Sequence, residues 1–161
     1  MTVIKWRDTY NTGIEQFDKE HHKIVELVNT MFEVVRDKSS KEITEKACSD
    51  VLAYTVYHFA NEEQAMKNAD FPGFEEHRAE HARLKVEAEK FTAIIHDTFP
   101  EGATEFYRFL REWLVEHIQD CDHKYSPYLS KNITRSSFID RSEKGPLNNV
   151  EANSEAVPCG R

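Results

Sequence analysis

No stretch of this chain comes near the roughly 20 consecutive apolar residues needed to cross a bilayer, which argues against a helical membrane protein. The first residues, Met1-Thr2-Val3-Ile4-Lys5-Trp6-Arg7-Asp8, show no basic-then-apolar export pattern, so the cytoplasm is the default expectation. Cysteine is scarce. Cys48, Cys121 and Cys159 form an odd set without CxxC spacing, which fits reduced thiols rather than a disulfide framework or a thiolate metal site. Positive charge is also in short supply: 21 Lys and Arg stand against 29 Asp and Glu. The resulting net charge of −8 disfavours nucleic acid and anionic lipid as partners, because both reward a basic face. No internal repeat suggests a solenoid. What the chain does have is 39% apolar residues, ten Phe among them, recurring periodically over 161 residues. That is enough for one soluble globular domain with a substantial core.

The periodicity is helical. Residues 1–17 carry aromatic anchors (Trp6, Tyr10, Phe17) and turn formers (Asn11, Gly13) without a 3.6-residue period, and read as an arm laid over the rest. From Asp18, read as an N-cap, the positions Ile24, Val25, Val28, Phe32 and Val35 mark a first helix to about Arg36. Ser39 with Glu42 makes a capping-box pattern. A second stripe then follows through Ile43, Ala47, Val51, Tyr54, His58, Glu62 and Ala65 or Met66, ended by the breakers Asp70-Phe71-Pro72-Gly73. A third helix is expected from about Phe74 to Ile95, and a fourth carrying Phe106, Leu110, Trp113, His117 and Cys121 to about Tyr128. Four amphipathic segments with short connections imply an all-α, up-down-up-down four-helix bundle. The domain is expected over 1–130, with 131–161 as a polar, flexible tail.

Five histidines and two carboxylates stand out against this scaffold: His21, His58 with Glu62, His77 with His81, and His117 with Asp122. His58/Glu62 and His77/His81 are four residues apart, one turn along a single helix face. His21, His58, His77, His81 and His117 all lie near the centre of their apolar stripes, whereas His22, His96 and His123 fall outside. One inward histidine is an ordinary core residue. Five on four inward faces with acids are costly, since each unpaired buried polar group costs about 1–3 kcal/mol, and a metal ion would remove that cost. Asp122 is the poor geometric fit, about 140° from His117 on an ideal helix. It is either an exposed acid near a helix end or a ligand reached through a local π-type widening.

These residues and their surroundings resemble the hemerythrins, in the single-domain bacterial form. The likeness runs over about 1–128: Trp6, Gly13-Ile14, Phe17-Asp18-Lys19-Glu20-His21, His58-Phe59-Ala60-Asn61-Glu62-Glu63, Phe74-Glu75-Glu76-His77-Arg78-Ala79-Glu80-His81, and Trp113-Leu114-Val115-Glu116-His117-Ile118 with Asp122 and Tyr125. The family often has Gln at the position of Glu20 and Lys at that of His22. The resemblance makes Asp122 a ligand and implies a hemerythrin-like bundle. It also implies two non-haem irons joined by an oxo or hydroxo bridge, with His77, His81 and His117 on one, His21 and His58 on the other, and Glu62 and Asp122 bridging.

The implied function is reversible dioxygen binding for storage, delivery or sensing, not catalysis, because the iron with two histidines keeps a position for dioxygen. Ile24, Phe59, Trp113 and Leu114, next to or within a turn of ligands, are expected to wall an apolar oxygen pocket. The alternative is a redox enzyme on the same centre, such as a peroxidase, nitric oxide reductase or ferroxidase. A third reading has the tail docking on an oxygen-consuming enzyme or another protein partner.

Overall fold

The structure is a computed structural model that describes residues 2–138, with side-chain surroundings up to 131. Among the described residues the architecture is entirely helical. The main elements are α1 (Glu15–Arg36), α2 (Lys41–Asn68), α3 (Phe74–Thr98), α4 (Glu101–His117), a π-helical turn (Ile118–Asp122) and α5 (His123–Phe138). Helices α1, α2, α3 and α4 each pack on the next, and α4 returns to α1, closing an up-down-up-down bundle. No described helix is long and apolar enough to cross a membrane.

The helix starts differ from those read in the sequence. Asp18 is not an N-cap, because α1 begins at Glu15 behind Ile14. Its carboxylate instead accepts from Thr12 N (2.7 Å), Thr12 Oγ1 (2.8 Å) and Gly13 N (3.1 Å), pinning the loop where Gly13 takes φ +80°. The acid does a cap's chemistry from one turn inside the helix. At α2 the cap is Ser40, whose side chain accepts from Ile43 N, and not Ser39. The inward stripe of α2 is displaced at this end as well: Ile43 is 54% exposed while Thr44 and Cys48 are buried. Helix α2 packs against both α1 and α3, so its buried sector is wider than one stripe, and the first-turn Ile43 lies beyond its edge.

The arm expected at the N-terminus is present. Ile4 is bound at both backbone groups by the Asn29 amide, at 2.7 and 2.9 Å, Trp6 stacks on the exposed His22, and Tyr10 is buried. At the other end the helical structure outlasts the expected boundary near 130, since α5 runs to Phe138. Tyr125 and Leu129 anchor the first half of α5, packing into a small apolar cluster with Ile14, Phe17, Met66 and Phe71. The rest of the expected tail, 139–161, lies outside the described residues. A larger core (Val28, Met31, Val51, Ile95, Phe106, Leu110 and neighbours) fills the opposite half of the bundle.

Candidate metal centre

Between these two apolar clusters, His21, His58, Glu62, His77, His81, His117 and Asp122 converge. All seven are at most 4% exposed. Their donor atoms form two groups that share both acids: Glu62, His77, His81, His117 and Asp122 in one, His21, His58, Glu62 and Asp122 in the other. The Nε2 atoms of His77 and His117 lie 3.0 and 3.2 Å from Nε2 of His81. Donors at right angles around an ion with bonds of about 2.1 Å sit about 3.0 Å apart, so the three imidazoles have the spacing of ligands already gathered.

Each carboxylate divides its oxygens between the two groups. Glu62 Oε1 is 3.3 Å from His58 Nε2 and 3.6 Å from His21 Nε2, whereas its Oε2 is 3.3 Å from His81 Nε2 and 3.8 Å from His77 Nε2. Asp122 Oδ2 is 3.1 Å from His21 Nε2; its Oδ1 is 3.2 Å from His117 Nε2 and 3.4 Å from His77 Nε2. Asp122 reaches this position through the π-helical turn Ile118–Asp122. A π turn closes i→i+5 hydrogen bonds and so brings residues five apart onto one face, which removes the 140° misfit between His117 and Asp122.

Two acids outside the ligand set fix the imidazoles. Glu20 Oε2 takes the Nδ1 proton of His58 at 2.7 Å, while Gln16 Nε2 and Asn61 Nδ2 each donate at 2.9 Å to its other oxygen. Glu63 Oε1 receives His81 Nδ1 at 2.9 Å. Both histidines therefore direct Nε2 toward the centre. Tyr125, wholly buried, donates its hydroxyl proton to Glu62 Oε1. Glu20 and Glu63 are not discernible as functional by helical phase, because they touch only the outer nitrogens. Their signal is adjacency, each being the neighbour in sequence of a ligand, with Glu20 one turn from Gln16.

The donor set is incomplete as protein alone. His21 Nε2, His58 Nε2, Glu62 Oε2 and both Asp122 oxygens are buried without a hydrogen-bond partner. Burial by itself favours neutral histidines and protonated acids, yet the mutual attraction of these groups overrides it. Glu62 and Glu20 push His58 up to about 10, and His21 rises through Asp122 and Glu62. Against burial and each other's charge, Glu62 and Asp122 are both held well below the carboxylate range by the surrounding imidazoles. Tyr125 is driven up by burial and by the charges of Glu62 and Asp122. Cations of higher charge than a proton fit this set of imidazole nitrogens and carboxylate oxygens, which suits first-row metals.

The four apolar candidates are all buried. Phe59 lies flat on His81, with ring centroids 3.7 Å apart, and both Phe59 and Trp113 approach His117. These two rings thus back the three-histidine group, Phe59 lying 6.1 Å from the His58 ring as well, and all four residues belong to the larger core.

Residues 12–129 match the hemerythrin HHE cation binding domain. The chain belongs to the hemerythrin family. It is 30% identical over 131 residues to a bacteriohemerythrin of Methylococcus capsulatus, an alignment covering 81% of this chain and 99% of that protein. It is 28% identical over 120 residues to a myohemerythrin of Riftia pachyptila, covering 74% and 88%. A crystal structure of wild-type hemerythrin superposes with a TM-score of 0.74 at 28% identity, covering 80% of this chain and 99% of that one. In this hemerythrin, then, the convergence of the donors and the family agree on a metal-binding four-helix bundle.

Proposed function

We propose that this hemerythrin binds dioxygen reversibly at a non-haem di-iron centre with an oxo or hydroxo bridge, serving oxygen storage, delivery or sensing rather than catalysis. His77, His81 and His117 hold one iron, His21 and His58 the other, and Glu62 and Asp122 span the two. The observation that supports this reading is the division of both carboxylates: each presents one oxygen to each histidine group. One group then supplies five protein donors and the other four, so a small ligand joins on the His21/His58 side. When bound, two ferrous ions would supply two electrons to dioxygen and recover them on release.

The chain's own residues do the rest. Glu20 and Glu63 hold the Nδ1 protons of His58 and His81, which fixes ring orientation and raises donor strength. Tyr125 keeps its proton on the hydroxyl, directed at Glu62 Oε1. Ile24 and Leu114, 1% and 2% exposed, together with Phe59 and Trp113, form the apolar wall that excludes water and slows irreversible oxidation. The test is optical. Iron-loaded, reduced protein exposed to air should gain a visible charge-transfer band that disappears under vacuum and returns with air. Rapid one-way conversion to the diferric form, with peroxide release or oxidation of an added substrate, would favour the enzyme reading instead.

A further inference from the structure

The outer nitrogens of the converged histidines are not held alike. Those of His58 and His81 are bonded to Glu20 and Glu63, whereas Nδ1 of His117 is buried without a hydrogen-bond partner, in a residue only 4% exposed. His117 also lines a cavity of about 490 Å³ between α3 and α4, whose wall extends to Asp120 and Cys121 of the π turn. Its Nε2 meanwhile lies 3.2 Å from His81 Nε2 and 3.2 Å from Asp122 Oδ1. This one imidazole therefore belongs both to the cavity wall and to the donor group.

The same wall is acidic. Glu80, Glu112, Glu116 and Asp120 line it against a single guanidinium, Arg83, which is paired with Glu80 at 2.7 and 2.9 Å. Glu112, Glu116 and Asp120 are exposed and Glu80 is half-buried, so the carboxylates run from solvent inward. Glu80 is held below the carboxylate range by Arg83 first and, more weakly, by the charge of His117 and His81, which places it near the centre. A cleft lined by one sign of charge concentrates ions of the other sign and raises their rate of arrival. It does nothing for an uncharged ligand and repels an anion. The untethered ring matters as well: turning His58 or His81 aside would break a charge-assisted hydrogen bond, and turning His117 aside breaks none at Nδ1.

We propose that ferrous iron enters and leaves the centre through this cavity between α3 and α4, drawn in by the carboxylates of Glu112 and Glu116 and admitted past His117, whose imidazole turns aside and then closes on the ion as a ligand. The route rests on the metal centre and is independent of what the loaded centre does with dioxygen.

Stopped-flow mixing of the full-length, metal-stripped protein with cobalt(II), followed by the visible bands that appear as it takes up imidazole nitrogen, tests the route. Glu112→Gln with Glu116→Gln should slow uptake by about tenfold at low ionic strength, and added salt should slow the wild type much more than this variant. Glu75→Gln with Glu76→Gln removes the same charge from exposed positions of α3 outside the cavity wall and should leave the rate near that of the wild type. Phe109→Trp, which narrows the cavity without altering charge, should slow uptake and keep its salt dependence. Every variant should finish with the wild-type number of metal ions per chain and melt near the wild-type temperature when stripped. Any of three results would overturn the proposal: a wild-type rate in the Glu112/Glu116 variant, equal slowing in the Glu75/Glu76 variant, or a loss of metal capacity at an unchanged rate, since the acids would then hold metal and not conduct it. A wild type that takes up no cobalt would instead refute the metal centre itself, which the final stoichiometry reads separately from the rate.

Discussion

The Nδ1 proton of His58 is held by a carboxylate whose second oxygen is already occupied by Gln16 and Asn61, so Glu20 has little freedom to be anything but an anion facing an imidazole. Glu20→Gln keeps the shape but removes the charge and puts an amide in its place. If that amide offers N–H to His58, the imidazole must take the other tautomer and turn a proton toward the centre. Supports of this kind are worth about 10–100-fold in metal affinity. Glu20→Gln should therefore weaken ferrous iron binding by at least tenfold in competition with a chromogenic chelator, and should also lower the melting temperature of the metal-free protein, in which Glu20 is the anion facing the protonated His58; unchanged affinity would remove Glu20 from the site. Tyr125→Phe acts differently. It strips Glu62 Oε1 of its hydroxyl donor in a fully buried place, where an acceptor left without its partner costs about 1–3 kcal/mol. The variant should still take up two irons per chain, read by elemental analysis, and should melt lower in the metal-free state.

At the scale of helices, much was legible because inward phase and ligand spacing coincide. His58/Glu62 and His77/His81 share a face by their four-residue separation alone, and His21 and His117 sit on the apolar stripes of α1 and α4. Asp122 was legible only as a choice between solvent and a π turn, since the backbone hydrogen-bond shift at Ile118–Asp122 leaves no composition signal. Caps were read less well. Asp18, Ser39 and Ser40 all have capping chemistry, and which one is used depends on where the loop from the preceding element lands, a tertiary fact. Thr44 and Cys48, not Ile43, enter the core for the same reason: α2 has helices on two sides, and a single apolar stripe faces only one of them. Ser40→Ala tests the element in isolation. The Ser40 hydroxyl is 3.4 Å from Ile43 N, a long cap, so the loss should be at the low end of the range, about 0.5–1 kcal/mol. Thermal unfolding should show that decrease equally with and without metal, because the cap lies in the first turn of α2, far along the chain from His58. A loss seen only in the metal-loaded protein would mean that the start of α2 is coupled to the site.

For the whole molecule, the centre and the fold are one thermodynamic object. The seven converging side chains come from all four bundle helices and the π turn that follows α4, so the unfolded chain has no comparable site, and metal binding free energy appears as folding free energy. The core on one side and the Phe17/Tyr125 cluster on the other hold these groups together against a desolvation cost that five buried atoms without hydrogen bonds make plain. Free metal at about 1,000 times its dissociation constant stabilises a folded state by about 4 kcal/mol. In a domain of this size about 1 kcal/mol moves the melting temperature by about 2–4 °C, so exhaustive chelation should lower it by about 8–16 °C, and restoring ferrous iron without oxygen should recover it. His77→Ala supplies the control. It removes a ligand from the three-histidine group and leaves Asp122 Oδ1 short of a neighbour that stood at 3.4 Å, so iron content and the chelation-sensitive part of the melting temperature should fall together. Calorimetry with parallel iron analysis reads both quantities on one sample. A chelator-independent melting temperature in the wild type, or a His77→Ala protein with full iron and the wild-type transition, would show that the bundle is stable for reasons unconnected with the side chains at its centre.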